Sequence, residues 1–188
     1  MGAPLGQAGL AQGVGLAGAT VSKYLAVAHE VFLVKLIPAY TRGFTGRVSR
    51  RPKLAFVDSA VGCQLLGLDE RALVRPGAPL GGLLESFVAM ELARQATWSA
   101  ARPGVFHYRT KDKMEVDLVL EDAQGRVVGI EVKASATARG EDFRGLRHLA
   151  ARLGGDFLGG IVLYTGRSTL SFGPNLKAVP ISAVWTAC

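Results

Sequence analysis

From Gly81 onward the hydrophobic positions change period several times, and each change predicts an element. Gly81 to Trp98 repeats at helical spacing, with Leu84, Phe87, Val88 and either Leu92 or Gln95 on the buried side. Val105 to Thr110 reads as a short strand, followed by a turn at Lys111-Asp112-Lys113. Glu115 to Glu121 alternates strictly, placing Val116, Leu118 and Leu120 on one face and Glu115, Asp117, Val119 and Glu121 on the other. Asp122-Ala123-Gln124-Gly125-Arg126 predicts a hairpin connection with Gly125 at the position that needs positive φ. Val127 to Ser135 is the next strand, with Val128, Ile130 and Val132 opposite Glu131 and Lys133. Glu141 to Leu153 carries a helical stripe of Phe143, Leu146, Leu149, Ala150 and Leu153; Phe157 to Thr165 reads as a buried strand, and Leu170 to Phe172 is a candidate for one more. The order is α-β-β-β-α-β, an α/β arrangement.

The N-terminal part has a different rhythm. Leu10 to Gly18 reads as a weak helix and turn; Thr20 is a candidate N-cap, and Val21 to Pro38 predicts a long helix. Its apolar run is interrupted by His29, Glu30 and Lys35, which makes it amphipathic and not membrane-crossing. Thr41 to Val57 predicts a basic extended hairpin, so that the segment has the outline of a winged helix. Asp58 ends a strand and is placed to cap a following helix. The run Arg75-Pro76-Gly77-Ala78-Pro79-Leu80-Gly81-Gly82 predicts a linker, which divides the chain into 1–75 and 76–188.

Composition narrows the classes. The chain has 188 residues, 49% hydrophobic and 20% charged, which indicates a folded soluble protein and excludes a disordered tail. Aromatic residues at 7% argue against a large stacking platform for single strands. The net charge of +7 favours an anionic partner. Most of it lies early: residues 1–75 are +5 and residues 76–188 are +2. Six basic residues and no acid fall between Lys35 and Lys53, which makes Arg47, Arg50, Arg51 and Lys53 candidates for phosphate contacts on the presumed wing. The plainer alternatives are a solvated basic loop or a contact to an acidic protein surface. Two cysteines, Cys63 and Cys188, form no CxxC pair, and a reducing cytoplasm is the expectation. The first 22 residues are uncharged but hold six glycines and no basic leader, which fits neither a signal peptide nor a membrane span. His29, His107 and His148 have no ligand spacing, and no nucleophile–histidine arrangement can be read.

The hairpin register carries the chemistry. A three-residue loop at Ala123-Gln124-Gly125 sets Asp122 opposite Arg126 and, in the same register, Asp117 opposite Glu131. Like charges facing across a ladder are unfavourable, so the pair needs a cation or a raised pKa. Lys133, two residues on and on the same face, supplies one positive charge. Such a set suits a hard divalent ion, Mg²⁺ with Mn²⁺ as substitute, that activates water at a phosphorus.

Asp117 followed after fourteen residues by Glu131-Val132-Lys133, on adjacent strands of an αβββαβ core, resembles the PD-(D/E)XK nuclease fold of restriction-type endonucleases. The resemblance implies that Asp117 and Glu131 bind the metal, that Lys133 assists the attacking water, and that a further carboxylate comes from the first helix. Glu85 matches that position, with Glu91 as its competitor one turn later. The strings Thr20-Val21-Ser22-Lys23-Tyr24-Leu25, Pro52-Lys53-Leu54-Ala55-Phe56-Val57-Asp58-Ser59, Glu115-Val116-Asp117-Leu118-Val119-Leu120, Ile130-Glu131-Val132-Lys133-Ala134-Ser135 and Val179-Pro180-Ile181, in this order, are similar to the domain of unknown function found C-terminal to prokaryotic AAA+-type ATPase modules. That resemblance implies a restriction-endonuclease-like core preceded by a small winged-helix-like segment, with an ATPase module as neighbour or partner. The chain itself has no GxxxxGK[ST] motif. Three readings follow: a Mg²⁺-dependent phosphodiesterase using Glu85, Asp117, Glu131 and Lys133 on DNA or RNA; a nucleic-acid-binding module with a silent site; and a regulatory or scaffolding domain of an ATPase. Arg144 and Arg147 could face the site, although a solvated helix face is the plainer reading for both.

Overall fold

Helix α1 (Gly18–Glu30) is shorter than its periodicity predicts. In the computed structural model, which describes residues 12–42, 48–75 and 77–186, Phe32 takes φ 57° and Val34–Ile37 continues as strand β1. The expected helix to Pro38 is therefore corrected: helical spacing alone does not register the strand preference of Val-Lys-Leu-Ile. Strand β1 pairs antiparallel with β2 (Lys53–Phe56), from Val34 opposite Phe56 to Ile37 opposite Lys53. The hairpin arms thus lie at 34–37 and 53–56, and not both within 41–57. Two residues between them bond to the main sheet, Tyr40 N donating to His107 O at 2.7 Å and Ser49 N to Arg109 O at 2.8 Å. Asp58 caps α2 (Ser59–Leu65), accepting from Ala60 N at 2.8 Å. A further turn of helix, α3 (Glu70–Leu73), is capped by Asp69 and was not expected.

Helix α4 (Leu80–Trp98) opens the second part and buries Leu83, Val88, Ala89 and Met90. Phe87, expected inside, is 38% exposed and lies against the Trp185 ring at 5.4 Å. Then come β3 (Gly104–Arg109), β4 (Glu115–Glu121), β5 (Val127–Lys133), α5 (Arg144–Leu153), β6 (Phe157–Tyr164), β7 (Leu170–Ser171), β8 (Leu176–Pro180) and α6 (Ala183–Thr186). The α-β-β-β-α-β order is observed, and β8 adds a strand that the periodicity did not reveal. The six strands are ordered β3-β4-β5-β6-β8-β7. Strands β5, β6 and β8 run parallel, while β3, β4 and β7 join antiparallel, which gives a mixed α/β fold.

The β4–β5 hairpin has the expected register, running from Glu121 opposite Val127 to Leu118 opposite Ile130. Asp122 N donates to Arg126 O at 3.0 Å, and Gly125 takes φ 80°, a conformation that favours glycine. Against β3, the alternation breaks. Phe106 pairs with Val119 but Tyr108 pairs with Val116, so Asp117 and Leu118 together face His107. This bulge moves Val116 and Val119 to the same side, in the cluster that holds Phe143, Leu146 and Leu149. Leu118, expected beside Val116, instead joins Val88, Ala89, Ile130 and Val132 on the α4 side. Ile37 and Ala55 belong to that second cluster, so the two parts of the chain share a core there. Among the described residues, no helix is long and apolar enough to cross a membrane.

Candidate functional site

Three elements bring carboxylates to one place, each for a local reason. Helix α4 carries Glu85 one turn before Val88 and Ala89, so packing of that apolar stripe points Glu85 at the sheet. The β4 bulge re-aims Asp117, and β5 delivers Glu131 on the face opposite buried Ile130 and Val132. Asp117 and Glu131 are both buried, at 7% and 8% exposure. Asp117 Oδ2 accepts a hydrogen bond from Val132 N at 3.0 Å, just beyond the last paired residues of the β4–β5 ladder.

An open cavity of about 260 Å³ lies over these groups. Glu85, Glu115, Asp117, Glu131, Glu141 and Asp142 line it, against three basic side chains, Lys113, Lys133 and Arg144. Lys133 Nζ is 3.8 Å from Glu131 and 3.9 Å from Asp142. Gly145 lets α5 approach the opposite wall closely: a Cβ there would collide with the backbone oxygen of Glu115 and come 3.1 Å from Glu131 Oε1.

Lys53 is the residue that sequence reasoning misplaced. It was expected to offer its charge to phosphate, but its ammonium points inward, 2.9 Å from Glu85 Oε2 and 3.0 Å from Asp117 Oδ1. Its side chain is 13% exposed. One local signal was available: in a strand Lys53 shares a face with Ala55, which is buried in the core. Of its expected companions, Arg50 and Arg51 are exposed, and Arg47 lies outside the described residues. Glu91 is not at the site; it pairs with Arg94 at 3.4 Å and Gln95 at 3.2 Å, which leaves Glu85 as the helix carboxylate. Arg144 lines the cavity, whereas Arg147 donates to the Gly140 carbonyl at 2.6 Å.

The electrostatics follow from burial and crowding. Burial raises the pKa of Glu131 well above the usual carboxylate range, and the Asp117 charge adds to it, with Lys133 opposing. Burial and Asp117 also raise Glu85, with Lys53 opposing. For Lys53, burial acts to lower the pKa but is outweighed by Asp117 and Glu85, so the ammonium is held above its ordinary value. Burial likewise raises Glu115.

The donor set is hard and all-oxygen, which suits Mg²⁺ or Mn²⁺ in kind. Placement does not match as the side chains stand. Both Asp117 oxygens and one Glu85 oxygen are engaged, and among the described residues no group of three or more His, Cys, Asp or Glu is arranged to hold a metal ion.

Comparison with known proteins places the chain in a family. Residues 1–72 match the family described as Domain of unknown function (DUF8612). Two curated relatives are 30% identical over 128 residues: "Uncharacterized protein Rv2008c" of Mycobacterium tuberculosis and "Uncharacterized protein Mb2031c" of Mycobacterium bovis. The match covers 68% of this chain and 28% of each relative, so the chain spans less than a third of their length. No solved structure gives a significant match. Residues 80–184, from the start of α4 into α6, match Domain of unknown function (DUF4143), more than half of the 188 residues, and the chain belongs to that family.

Proposed function

We propose that residues 76–188 are a PD-(D/E)XK nuclease-like core of an ATPase-associated protein, acting on phosphodiester bonds of DNA or RNA. The observation that carries this reading is the convergence of Glu85, Asp117, Glu131 and Lys133, from one helix and two strands, on the wall of one cavity. A Mg²⁺ ion bound by Asp117 and Glu131, with Glu85 beside them, would supply Lewis acidity and a water of lowered pKa. The chain's own groups do the rest. Val132 N–H fixes the Asp117 carboxylate, and Lys133, 37% exposed, stands at the mouth within reach of a phosphate oxygen or a water. Lys113 and Arg144 give the rim positive charge for the nucleic-acid backbone. The relatives are long enough beyond the matched stretch to hold an AAA+-type ATPase module.

A second reading is favoured by one specific observation, the Lys53 ion pairs: a silent nuclease-like domain that binds nucleic acid through its basic winged-helix-like segment, or regulates an ATPase. One experiment separates them. Labelled single- and double-stranded DNA and RNA are incubated with the chain and Mn²⁺ or Mg²⁺, beside Asp117→Ala. Metal-dependent cleavage lost in the variant, with unchanged circular dichroism, is expected. Cleavage that survives Asp117→Ala would overturn the proposed site. Binding without cleavage, falling steeply with salt and reduced in Arg50→Ala/Arg51→Ala, supports the silent binding domain; neither binding nor cleavage leaves the regulatory role.

A further inference from the structure

We propose that Lys53 is a resident counter-cation that competes with a divalent metal for Glu85 and Asp117, and that the β1–β2 hairpin therefore governs whether the site accepts one. The inference rests on the nuclease-like reading for the class of ligand and extends it to regulation of the same site. Three observations carry it. The first is the geometry: one ammonium bridges two carboxylates from different elements, at 2.9 Å and 3.0 Å, where those same carboxylates would share an ion.

The second is charge. Lys53 meets Glu85 and Asp117 with its single charge. A divalent ion on the same two carboxylates would stand at contact distance from that ammonium, and the two cations would repel in a poorly screened site. Occupation by lysine and by metal are thus alternatives.

The third is attachment. Lys53 reaches the site from outside the αβββαβ core, and it stands at the end of a ladder only four pairs long, opposite Ile37. Just before it, Arg50 and Arg51 are exposed, and His107 Nε2 donates to Arg51 O at 2.9 Å. An anionic polymer on these arginines would pull on the residues adjoining Lys53. Basic loop and buried lysine are one continuous segment, so the charge expected to meet nucleic acid is coupled along the chain to the charge that fills the site.

The test uses Mn²⁺ alone as probe, on the whole chain, with calorimetry and electron paramagnetic resonance counting bound ion. Wild type and Lys53→Arg are expected to bind weakly. Lys53→Gln and Lys53→Met are expected to bind about tenfold tighter or more, as removal of a like charge at contact distance predicts. Adding Asp117→Asn to either should abolish the gain. Equal affinity in wild type, Lys53→Gln and Lys53→Met overturns the proposal, as does a gain that persists with Asp117→Asn. Should both neutral variants unfold without metal, refolding on Mn²⁺ followed by circular dichroism supports it, and failure to refold at saturating Mn²⁺ overturns it. Because the readout is bound ion and not cleavage, the result is independent of turnover. A gain in binding with no cleavage by any variant would leave Lys53 as the competitor and reject the nuclease.

Discussion

Behind the inner wall of the cavity and at its mouth, a lysine meets two carboxylates, yet the two arrangements differ in kind. Inside, Lys53 is 13% exposed and makes two close contacts, to Glu85 and Asp117. At the mouth, Lys133 is 37% exposed and stands 3.8 Å and 3.9 Å from Glu131 and Asp142. The inner pair has given up water and depends on its partner, whereas the outer one remains solvated and available. The lesson is that the same residue type closes one side of the site and leaves the other open. Position relative to water decides which is structural and which can meet a ligand.

The largest effect expected from this contrast is on stability. Lys53→Ala strands the buried Asp117 and the half-buried Glu85 and should cost about 3–5 kcal/mol, while Lys133→Ala should cost no more than about 1 kcal/mol. Urea unfolding of both variants checks it, and equal losses would erase the distinction between wall and mouth. Next in size is Gly145→Ala. The added Cβ meets the Glu115 backbone, which cannot swing aside, so α5 must shift at a cost of roughly 1–3 kcal/mol. The same melt should show whether the open side depends on this close helix approach. The smallest effect concerns His107, on the strand behind the inner wall. Burial lowers its pKa, Lys53 and Arg109 lower it further, and its bond to Arg51 only partly opposes them. The folded state prefers the neutral ring, so its contribution is complete above the unfolded pKa of about 6.5 and is lost as pH falls through the lower folded value. His107→Gln keeps a donor for Arg51 and should reduce the fall in melting temperature between neutral and mildly acid pH. An unchanged slope would show that the ring does not report on the inner wall.

The readable parts of this molecule were those set by neighbours in the chain. Gly125 and the three-residue loop determined the β4–β5 register, and the 3.6-residue stripe over 141–153 marked Phe143, just before α5, and Leu146 and Leu149 within it, all fully buried. Glu85 and Glu91 stayed unresolved until the packing of Val88 and Ala89 oriented α4. The β4 bulge was invisible because Val116, Leu118 and Leu120 alternate perfectly; only pairing with β3 reveals the extra residue. Helix α1 ends earlier than its apolar spacing implies because that spacing continues through the turn at Phe32. Lys53 was hidden by distance. Its partner Asp117 lies 64 positions away, and in isolation it looked like one more member of a basic run.

That distance has a consequence for how the site comes into being. Asp117 and Glu131 are fourteen residues apart and meet when a single hairpin closes, a microsecond event of low contact order. Lys53 must cross a much longer span and dock with its own hairpin, a slower step weighted by chain entropy. The acids are therefore gathered before their cation arrives. Until that hairpin docks, Asp117 and Glu131 stand together without Lys53, and only Lys133 and ions from solution offset them.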